Sequence, residues 1–167
     1  MEFSVAKNKF IQTWGALGSQ WGINKTMAQI HALLMVSPEA LSMEDVMAEL
    51  HISRGNASMN LRNLIDWGIV FKEYKPGERR EYFIAESNID ELARKIAKER
   101  SKREIKPTLR VLQEVSSLHN TTTTEAQHFK TKTAELYEFV SRADTMLEKI
   151  TDYKENWITK TIMKLMK

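Results

Sequence analysis

The chain has 167 residues, of which 42% are hydrophobic, so it is long enough for one domain with a buried core and an appended element. It contains no cysteine, which excludes disulfides and cysteine-ligated metal sites. The net charge of +3 permits a polyanionic partner without requiring one. No apolar run is long enough to span a bilayer and the N-terminus lacks a signal-peptide core, so we expect a cytoplasmic protein without a membrane partner.

Hydrophobic residues at helical spacing predict two helices before Pro38, where the second helix should end. The first helix carries a stripe of Phe3, Phe10, Trp14, Leu17 and Trp21. After a break at the sequence WGIN, either Asn24 or Thr26 is placed to cap the second helix. We expect the inner face of that helix to hold Met27, Ile30, His31, Leu34 and Met35.

A short helix, a tight turn and a longer helix are predicted next. Ser42 is expected to cap the third helix, with Asp45 at a position where a capping box prefers Glu or Gln. After a break at residues 51–52, Ser53 should cap the fourth helix and Gly68 should end it. We expect this fourth helix to turn inward the residues Ala57, Leu61, Leu64 and Ile65.

The periodicity then changes to that of β-strands. Residues 69–74 and 81–85 are rich in aromatic and β-branched side chains and flank the sequence KPGERR, which predicts a hairpin with a basic tip. Residues 88–118 are helical in pattern, with a bend expected at Pro107. The basic run RKIAKERSKREIK, residues 94–106, could flank DNA, although a solvated helix face is the favoured interpretation.

The C-terminal part of the chain has apolar residues alternately four and three positions apart, as in a helix that packs along one seam. The seam comprises Phe129, Thr133, Leu136, Val140, Ala143, Leu147 and Ile150. After Lys154 an apolar stripe resumes with Trp157, Ile158, Ile162 and Leu165. Packing within its own domain would explain the seam, but little chain remains to cover it, so we expect it to hold two copies together.

These elements predict a mainly α (α+β) fold with two regions. Residues 1–87 should form a winged helix-turn-helix DNA-binding domain with an N-terminal helix and a two-stranded wing. Residues 88–167 should form a helical dimerisation region. A polar face on an ordinary helical protein is the simpler alternative, but it does not explain why a basic hairpin follows the fourth helix at once.

The candidate DNA contacts lie on the fourth helix and on the hairpin. Arg and Asn can make bidentate hydrogen bonds to guanine and adenine edges, and a glycine lets a sugar-phosphate backbone approach closely. On the helix the candidates are Ser53, Arg54, Gly55, Asn56, Ser58, Met59, Arg62 and Asn63. On the hairpin the candidates for contacts with phosphates or an adjacent minor groove are Lys75, Arg79 and Arg80.

Residues 20–85 resemble the winged helix of MarR-type transcriptional regulators in the stretches WGINKTMAQIHALL, LHISRGNASMNLRNLIDWGIV and KPGERREYF. The whole chain resembles the subgroup typified by the GbsR repressor of glycine betaine synthesis genes. The resemblance implies a homodimer with a helical C-terminal segment for dimerisation. Gly77 and Arg79 match a Gly-x-Arg pattern, whereas the wing departs from the family in having Glu78 beside Arg79 instead of the usual Asp-x-Arg pair.

The leading hypothesis is a sequence-specific DNA-binding transcriptional regulator that acts as a homodimeric repressor. The sequence leaves open whether a small effector controls it. Trp14 and Trp21 are candidates for effector binding, since indole faces attract cations, with packing in a core or interface as the alternative. A winged-helix module that binds another protein is the second candidate function. An enzyme is disfavoured because no nucleophile, paired-carboxylate or phosphate-binding motif is visible, and we expect neither a cofactor nor a metal.

Overall fold

A computed structural model of the chain describes residues 1–119 and 122–152, apart from the side chains of residues 150 and 152. The chain divides into two compact units, Met1–Leu92 and Ala93–Lys167. The helices of the first unit are α1 (Phe3–Gln20), α2 (Lys25–Val36), α3 (Met43–Leu50) and α4 (Arg54–Asp66). Its strands are β1 (Leu41–Ser42), β2 (Val70–Tyr74) and β3 (Glu81–Ala85). The remaining helices are α5 (Ile89–Arg100), a π-helical segment (Ser101–Ile105), α6 (Lys106–Ser116) and α7 (Thr124–Asp152).

The mainly α fold with a small sheet that the sequence predicts is confirmed. The wing hairpin of β2 and β3 belongs to a three-stranded antiparallel sheet with the order β1-β3-β2. Strand β1 pairs Leu41 with Phe83 and Ser42 with Tyr82, so the two-stranded wing of the sequence analysis gains a third, very short strand. Two residues are too few to show a strand periodicity, and their extended conformation is held by pairing with β3.

Helix α2 is the centre of the first unit, because it packs against α1, α3, α4 and β3. Four of its five predicted inner residues are buried, and only Met35 is half-exposed. The neighbouring Ala32 and Leu33 are completely buried as well, so α2 is covered on nearly all sides. A helix that is hydrophobic all round is typical of such a central position.

The predicted stripe of helix α1 is packed only in its middle, where Phe10, Trp14 and Leu17 are half-buried. Phe3 is 78% exposed and Trp21 is 52% exposed, whereas Ile11, Gly15 and Gly18 are buried. A Cβ atom added at Gly18 would lie 2.6 Å from the Cβ of Ala28, so α1 and α2 touch through the glycine backbone. The stripe did not reveal this contact, because glycines that allow close helix packing carry no hydrophobic signal.

Three predicted N-caps are confirmed by their hydrogen bonds. Asn24, and not Thr26, caps α2 by accepting from the backbone N–H of Met27 at 3.1 Å. Ser42 Oγ accepts from the N–H of Asp45 at 3.2 Å, while an Asp45 carboxylate oxygen accepts from the N–H of Ser42 at 2.9 Å. The capping box is therefore complete with Asp in place of Glu, and these bonds from Ser42 hold the pKa of Asp45 below its usual value.

The turn between α3 and α4 depends on His51, which has a φ of 53° in the left-handed region. That conformation ends α3 and lets the N–H of Ile52 donate to the carbonyl of Met47 at 3.2 Å. At the end of α4 the predicted stop at Gly68 is confirmed by a φ of 69°. The N–H of Gly68 donates to Ile65 O and that of Ile69 to Leu64 O, which is the Schellman arrangement.

In the second unit, the backbone remains helical from α5 through the π-helical segment to α6. Within the π-helical segment, the N–H of Lys106 donates to the carbonyl of Ser101, five residues earlier. Pro107 follows in the first turn of α6, where its missing N–H does least harm. The backbone irregularity expected near Pro107 is thus a change of helix type.

Helix α7 packs against α6 and the π-helical segment. Asp144 is buried there and accepts a hydrogen bond from Ser101 Oγ at 2.5 Å, while Lys106 forms an ion pair with Glu148 at 2.8 Å. Several cations of the basic run 94–106 are paired within the unit, as in the ion pairs Arg100–Glu104 and Arg103–Glu99. These pairs favour the solvated-face interpretation of the run over contact with DNA.

The predicted seam of α7 is only partly covered in the described residues. Thr133, Val140 and Leu147 are half-buried, whereas Phe129, Leu136 and Ala143 are exposed. A wider apolar stripe on the same side of the helix consists of Phe129, Leu136, Phe139 and Met146, all of them exposed. The predicted residues Trp157, Ile158, Ile162 and Leu165, and the side chain of Ile150, lie outside the described residues.

Within residues 1–119 and 122–152, no helix is long and apolar enough to cross a lipid bilayer.

The buried His31 predicts a specific pH dependence of stability. Burial lowers its pKa from 6.5 to about 4, because the charged imidazolium would lose its hydration. Among the described residues, the Nε2 atom of His31 has no hydrogen-bond partner. Between these two pH values the unfolded chain binds a proton at His31 that the folded chain does not bind. The contribution of His31 to the free energy of unfolding should therefore fall by about 3 kcal/mol as the pH is lowered from 7 to 4.

Urea unfolding of the natural protein and of His31→Leu at pH 7, 5.5 and 4.5 measures this contribution, because the titration of all other groups cancels in the difference. The stability of the natural protein relative to the variant should decrease as the pH falls. A difference that stays constant over this range contradicts the assignment.

Candidate nucleic-acid interface

The fourth helix begins at a cap that leaves its N-terminus exposed. Ser53 Oγ accepts a hydrogen bond from the backbone N–H of Asn56 at 3.3 Å, which confirms the predicted N-cap. The first backbone N–H groups of an α-helix have no partner within the helix, and the helix dipole makes this end partly positive. Because Ser53, Arg54 and Gly55 are all exposed, this end of α4 is open to an anionic ligand.

The two faces of α4 are clearly separated. Ala57, Leu61 and Leu64 are buried against the rest of the first unit, as predicted, and Ile65 is half-buried. The opposite face exposes Arg54, Gly55, Met59 and Arg62, while Ser58 and Asn63 are half-buried at its borders. The structure therefore brings most of the predicted helix contacts onto one accessible surface.

Asn56 differs from the other predicted contacts because its side chain is already bonded. Its Oδ1 accepts from the Nδ2 of Asn60 at 2.6 Å, and Asn60 is completely buried. Bidentate recognition of adenine needs both the oxygen and the nitrogen of the amide. The bond to Asn60 occupies one lone pair of the Asn56 oxygen and fixes the orientation of the amide, so its geometry fits a supporting role. Sequence analysis missed Asn60, because an asparagine on a polar helix gives no sign that it is buried.

Gly55 is not required by the packing of the free protein. A Cβ atom added at this position meets no atom within 4 Å, in contrast to the close contact at Gly18. Its φ is not in the left-handed region either, since the positive-φ glycines are Gly22, Gly68 and Gly77. Nothing in the first unit thus demands a glycine at residue 55, which agrees with the idea that an external backbone approaches there.

The wing tip is a tight turn that exposes two arginines. The N–H of Glu78 donates to the carbonyl of Lys75 at 3.1 Å, and Gly77 has a φ of 81°, as in a type II turn with proline before glycine. Arg79 and Arg80 are exposed. The charge of Arg80 contributes to the lowered pKa of Asp45 after the bonds from Ser42, so Arg80 is close to the start of α3.

The side chains of Lys75 and Glu78 both engage Tyr82 on β3. Lys75 Nζ lies 4.4 Å from the centre of the Tyr82 ring, and it is 4.0 Å from a carboxylate oxygen of Glu39. The Tyr82 hydroxyl donates to the carboxylate of Glu78, which raises the pKa of Tyr82. Glu78, where the wing departs from the family pattern, therefore stabilises the hairpin itself.

Lys72 is a cation of this surface that the sequence analysis missed. It forms an ion pair with Glu81 across the hairpin at 2.7 Å, and this bond raises its pKa, whereas the nearby charge of Arg62 acts in the opposite direction. Lys72 therefore lies close to the exposed face of α4. Side chains alternate between the two faces of a strand, so Lys72 lies on the same face of β2 as the buried Val70. This alternation could have identified Lys72 as a candidate from the sequence.

The two tryptophans proposed for effector binding differ in environment. Trp14 is half-buried, with its ring centre 5.7 Å from that of Phe10 and 6.3 Å from that of His31. Trp21 lies at the C-cap of α1 and is largely exposed. Seven residues of helix separate them by about 10 Å along the axis. The contacts of Trp14 fit packing between α1 and α2, and an effector site at these residues stays a prediction.

Among residues 1–119 and 122–152, no three His, Asp or Glu side chains are grouped as metal ligands would be.

The helix-turn-helix formed by α3 and α4, followed by the hairpin of β2 and β3, defines a winged helix domain. Residues 21–81 match the model of the MarR family, so this segment is similar to the winged helix of that family. The match covers the elements from α2 to the start of β3 and agrees with the expectation of a regulator rather than an enzyme.

A solved structure entitled "Crystal Structure of a transcriptional regulator" is similar over most of the chain. The alignment covers 86% of this chain and 99% of the other, with a TM-score of 0.57 and 19% sequence identity. At this identity the likeness shows a shared fold, which includes part of the C-terminal helices. No curated protein matches the chain in sequence.

The positions of Arg62 and Arg79 predict different effects on DNA binding. Arg62 lies in the middle of the exposed face of α4, so Arg62→Ala should cost about 1–3 kcal/mol on the preferred sequence and relax selectivity. Arg79 lies at the wing tip, so Arg79→Ala should weaken binding to all sequences about equally and lower the salt slope by about one unit.

Fluorescence anisotropy with a selected duplex and with a scrambled duplex, over a series of salt concentrations, measures both quantities. If Arg79→Ala changes the preferred bases, or if Arg62→Ala weakens both duplexes equally, this division of roles is wrong.

Proposed function

We propose that the protein is a sequence-specific, DNA-binding transcriptional repressor that acts as a homodimer. The observation that carries the proposal is the single accessible surface of α4 that exposes Arg54, Gly55, Met59 and Arg62, followed in the chain by a hairpin whose tip exposes Arg79 and Arg80. The MarR-type match of residues 21–81 supports DNA binding and transcription regulation independently. An exposed helix of this kind fits the major groove, while the wing cations suit the flanking phosphates.

A winged-helix module for protein binding remains the second candidate function. The exposed Met59 would suit a protein partner, but the centre of a protein–protein interface is usually poor in charged residues. The exposed Arg54, Arg62, Arg79 and Arg80 fit a polyanion better. Binding to DNA through several phosphates should weaken by about 0.9 log units per tenfold rise in salt for each phosphate neutralised, which separates the two candidates.

The exposed stripe of α7 supports the homodimer. Phe129, Leu136, Phe139 and Met146 lie on one side of the helix, next to the flank that α6 covers. Their exposed fractions range from 46% for Phe129 to 68% for Met146. Exposed stripes of large apolar side chains are unfavourable in water unless another surface covers them. The same stripe on a second copy of the chain can cover it, because a twofold interface uses the same surface on both subunits.

The double variant Leu136→Glu with Phe139→Glu tests this interface. Both side chains are exposed within the protein, so the two carboxylates should leave the helix folded and separate the dimer into monomers. Sedimentation equilibrium at micromolar concentration should give about twice the chain mass for the natural protein and the chain mass for the variant.

Thr145→Glu is the matched control, because Thr145 is exposed on α7 away from the stripe and bonds only to Ser141 O in its own helix. This variant should remain dimeric. A monomeric natural protein, or a double variant that dimerises as well as the control, contradicts the proposed interface.

Repression by occupation of the operator is the simplest action for a DNA-binding domain of this kind. Control by a small effector would require a ligand that binds one arrangement of the two recognition helices better than another. Such a ligand would change the fluorescence of Trp14 or Trp21, if these residues bind it. We also propose that the protein belongs to the GbsR-like subgroup of these regulators. We also expect a cytoplasmic location, because the proposed target is chromosomal DNA.

A twofold dimer predicts the form of its operator. Selection from a random pool of duplexes should yield an inverted repeat whose half-site centres are about 10 base pairs apart, one turn of DNA. Insertion of about five base pairs between the half-sites would rotate one of them to the opposite face of the duplex. Affinity should then fall toward that of a single half-site.

An insertion of about ten base pairs is the control for length, because it restores the rotational phase, although it moves the half-sites apart. The proposal of sequence-specific binding fails if selection enriches no sequence. The dimeric binding mode alone fails if the five-base-pair insertion leaves the affinity unchanged.

A further inference from the structure

The N-terminus of the recognition helix carries an ion pair with the preceding helix. Arg54 Nη2 donates to the Glu44 carboxylate at 2.7 Å, so that the pair joins the first turns of α4 and α3. Both partners remain accessible, with 68% of the Arg54 side chain and 49% of the Glu44 side chain exposed. An exposed ion pair of this kind adds little to the stability of the fold. Its position on the side proposed to face DNA therefore suggests a role in binding.

The pair leaves most of the Arg54 guanidinium available. Glu44 engages one of the terminal nitrogens, and the remaining N–H groups of the planar guanidinium can still donate to a ligand. A free arginine loses substantial rotamer entropy when it makes a bidentate contact. A carboxylate that already holds one edge of the guanidinium reduces this loss, because the side chain is oriented before DNA arrives.

The charge of Glu44 has a second effect on the same contact. A negative side chain beside Arg54 repels phosphates and cancels part of the field that attracts any DNA sequence. Glu44 thus weakens phosphate contact by Arg54 while it leaves the outer edge of the guanidinium free for a base.

We propose that Glu44 is a specificity-determining residue, which positions Arg54 for a guanine edge and disfavours its use as a general phosphate contact. The inference rests on the proposed DNA-binding function and adds to it a residue that makes no favourable contact with DNA itself. Guanine offers O6 and N7 acceptors to a bidentate arginine, which makes it the base that an oriented guanidinium discriminates best.

Two substitutions separate orientation from charge. Glu44→Asp keeps the charge but shortens the side chain by one methylene, so it weakens the bond to Arg54. The ratio of affinities for the selected operator and a scrambled duplex should fall roughly threefold, with little change in binding to the scrambled duplex. Glu44→Gln keeps an acceptor but removes the charge, so binding to the scrambled duplex should rise roughly threefold and the salt slope should steepen.

Glu49→Gln is the matched control. Glu49 is on the same helix, is 50% exposed and forms a 2.8 Å ion pair, but its partner is Lys7 of α1 and not a residue of the recognition helix. This variant should bind both duplexes as the natural protein does. Thermal unfolding of every variant verifies that the folds are equally stable.

A double-mutant cycle with Arg54→Ala tests whether Glu44 acts through Arg54, because the effect of Glu44→Asp on the affinity ratio should then disappear in the Arg54→Ala background. The inference is overturned, and the DNA-binding function retained, if Glu44→Asp leaves the ratio unchanged or has an equal effect in both backgrounds. If the natural protein prefers no sequence at all, the proposed function and this inference fail together.

Discussion

The burial of α2 is the constraint on which the first unit depends. This helix is covered by α1, α3, α4 and β3, so the size of its side chains sets how closely each of these elements packs against it. The contact with α1 leaves no room for a side chain at Gly18, because the backbones are as close as Ala28 allows. The recognition helix packs Ala57, Leu61 and Leu64 inward and is thereby held with its polar face outward. The wing joins this body through β1 and β3, which places its cations near the same surface.

The electrostatics of that surface are balanced rather than simply positive. Arg54 is paired with Glu44, Lys72 with Glu81, and Lys75 lies near Glu39, so several cations have a carboxylate neighbour in the free protein. Binding to a phosphate therefore exchanges one anionic partner for another, and each exchange gains less than contact by an unpaired cation. Such a surface would bind DNA of arbitrary sequence weakly. In the proposed complex with DNA, contacts with base edges would then account for a larger share of the affinity, as a selective regulator requires.

Local features of the fold could be predicted from the sequence because they depend on neighbours along the chain. The side chains of the N-caps Asn24, Ser42 and Ser53 each accept from the N–H group three residues later, and Gly68 ends α4 by its own backbone conformation. The hairpin followed from β-branched and aromatic residues around a Pro-Gly turn. The exposed face of α4 followed from helical periodicity, so most candidate contacts lie where the sequence indicated.

By itself, the sequence thus determined the order of the elements, their ends and the outward face of the recognition helix. Only the tertiary structure decided which polar side chains on that face already have a hydrogen-bond or ion-pair partner. These partners lie on another element of the fold or are buried in the core. The Arg54–Glu44 pair spans two helices, the Lys72–Glu81 pair spans two strands, and Asn56 is held by a buried Asn60. The close contact of α1 with α2 was likewise decided by its glycines, which the aromatic stripe did not indicate. Periodicity reports hydrophobic side chains, whereas close backbone contacts and long-range polar pairs depend on the position of every other segment.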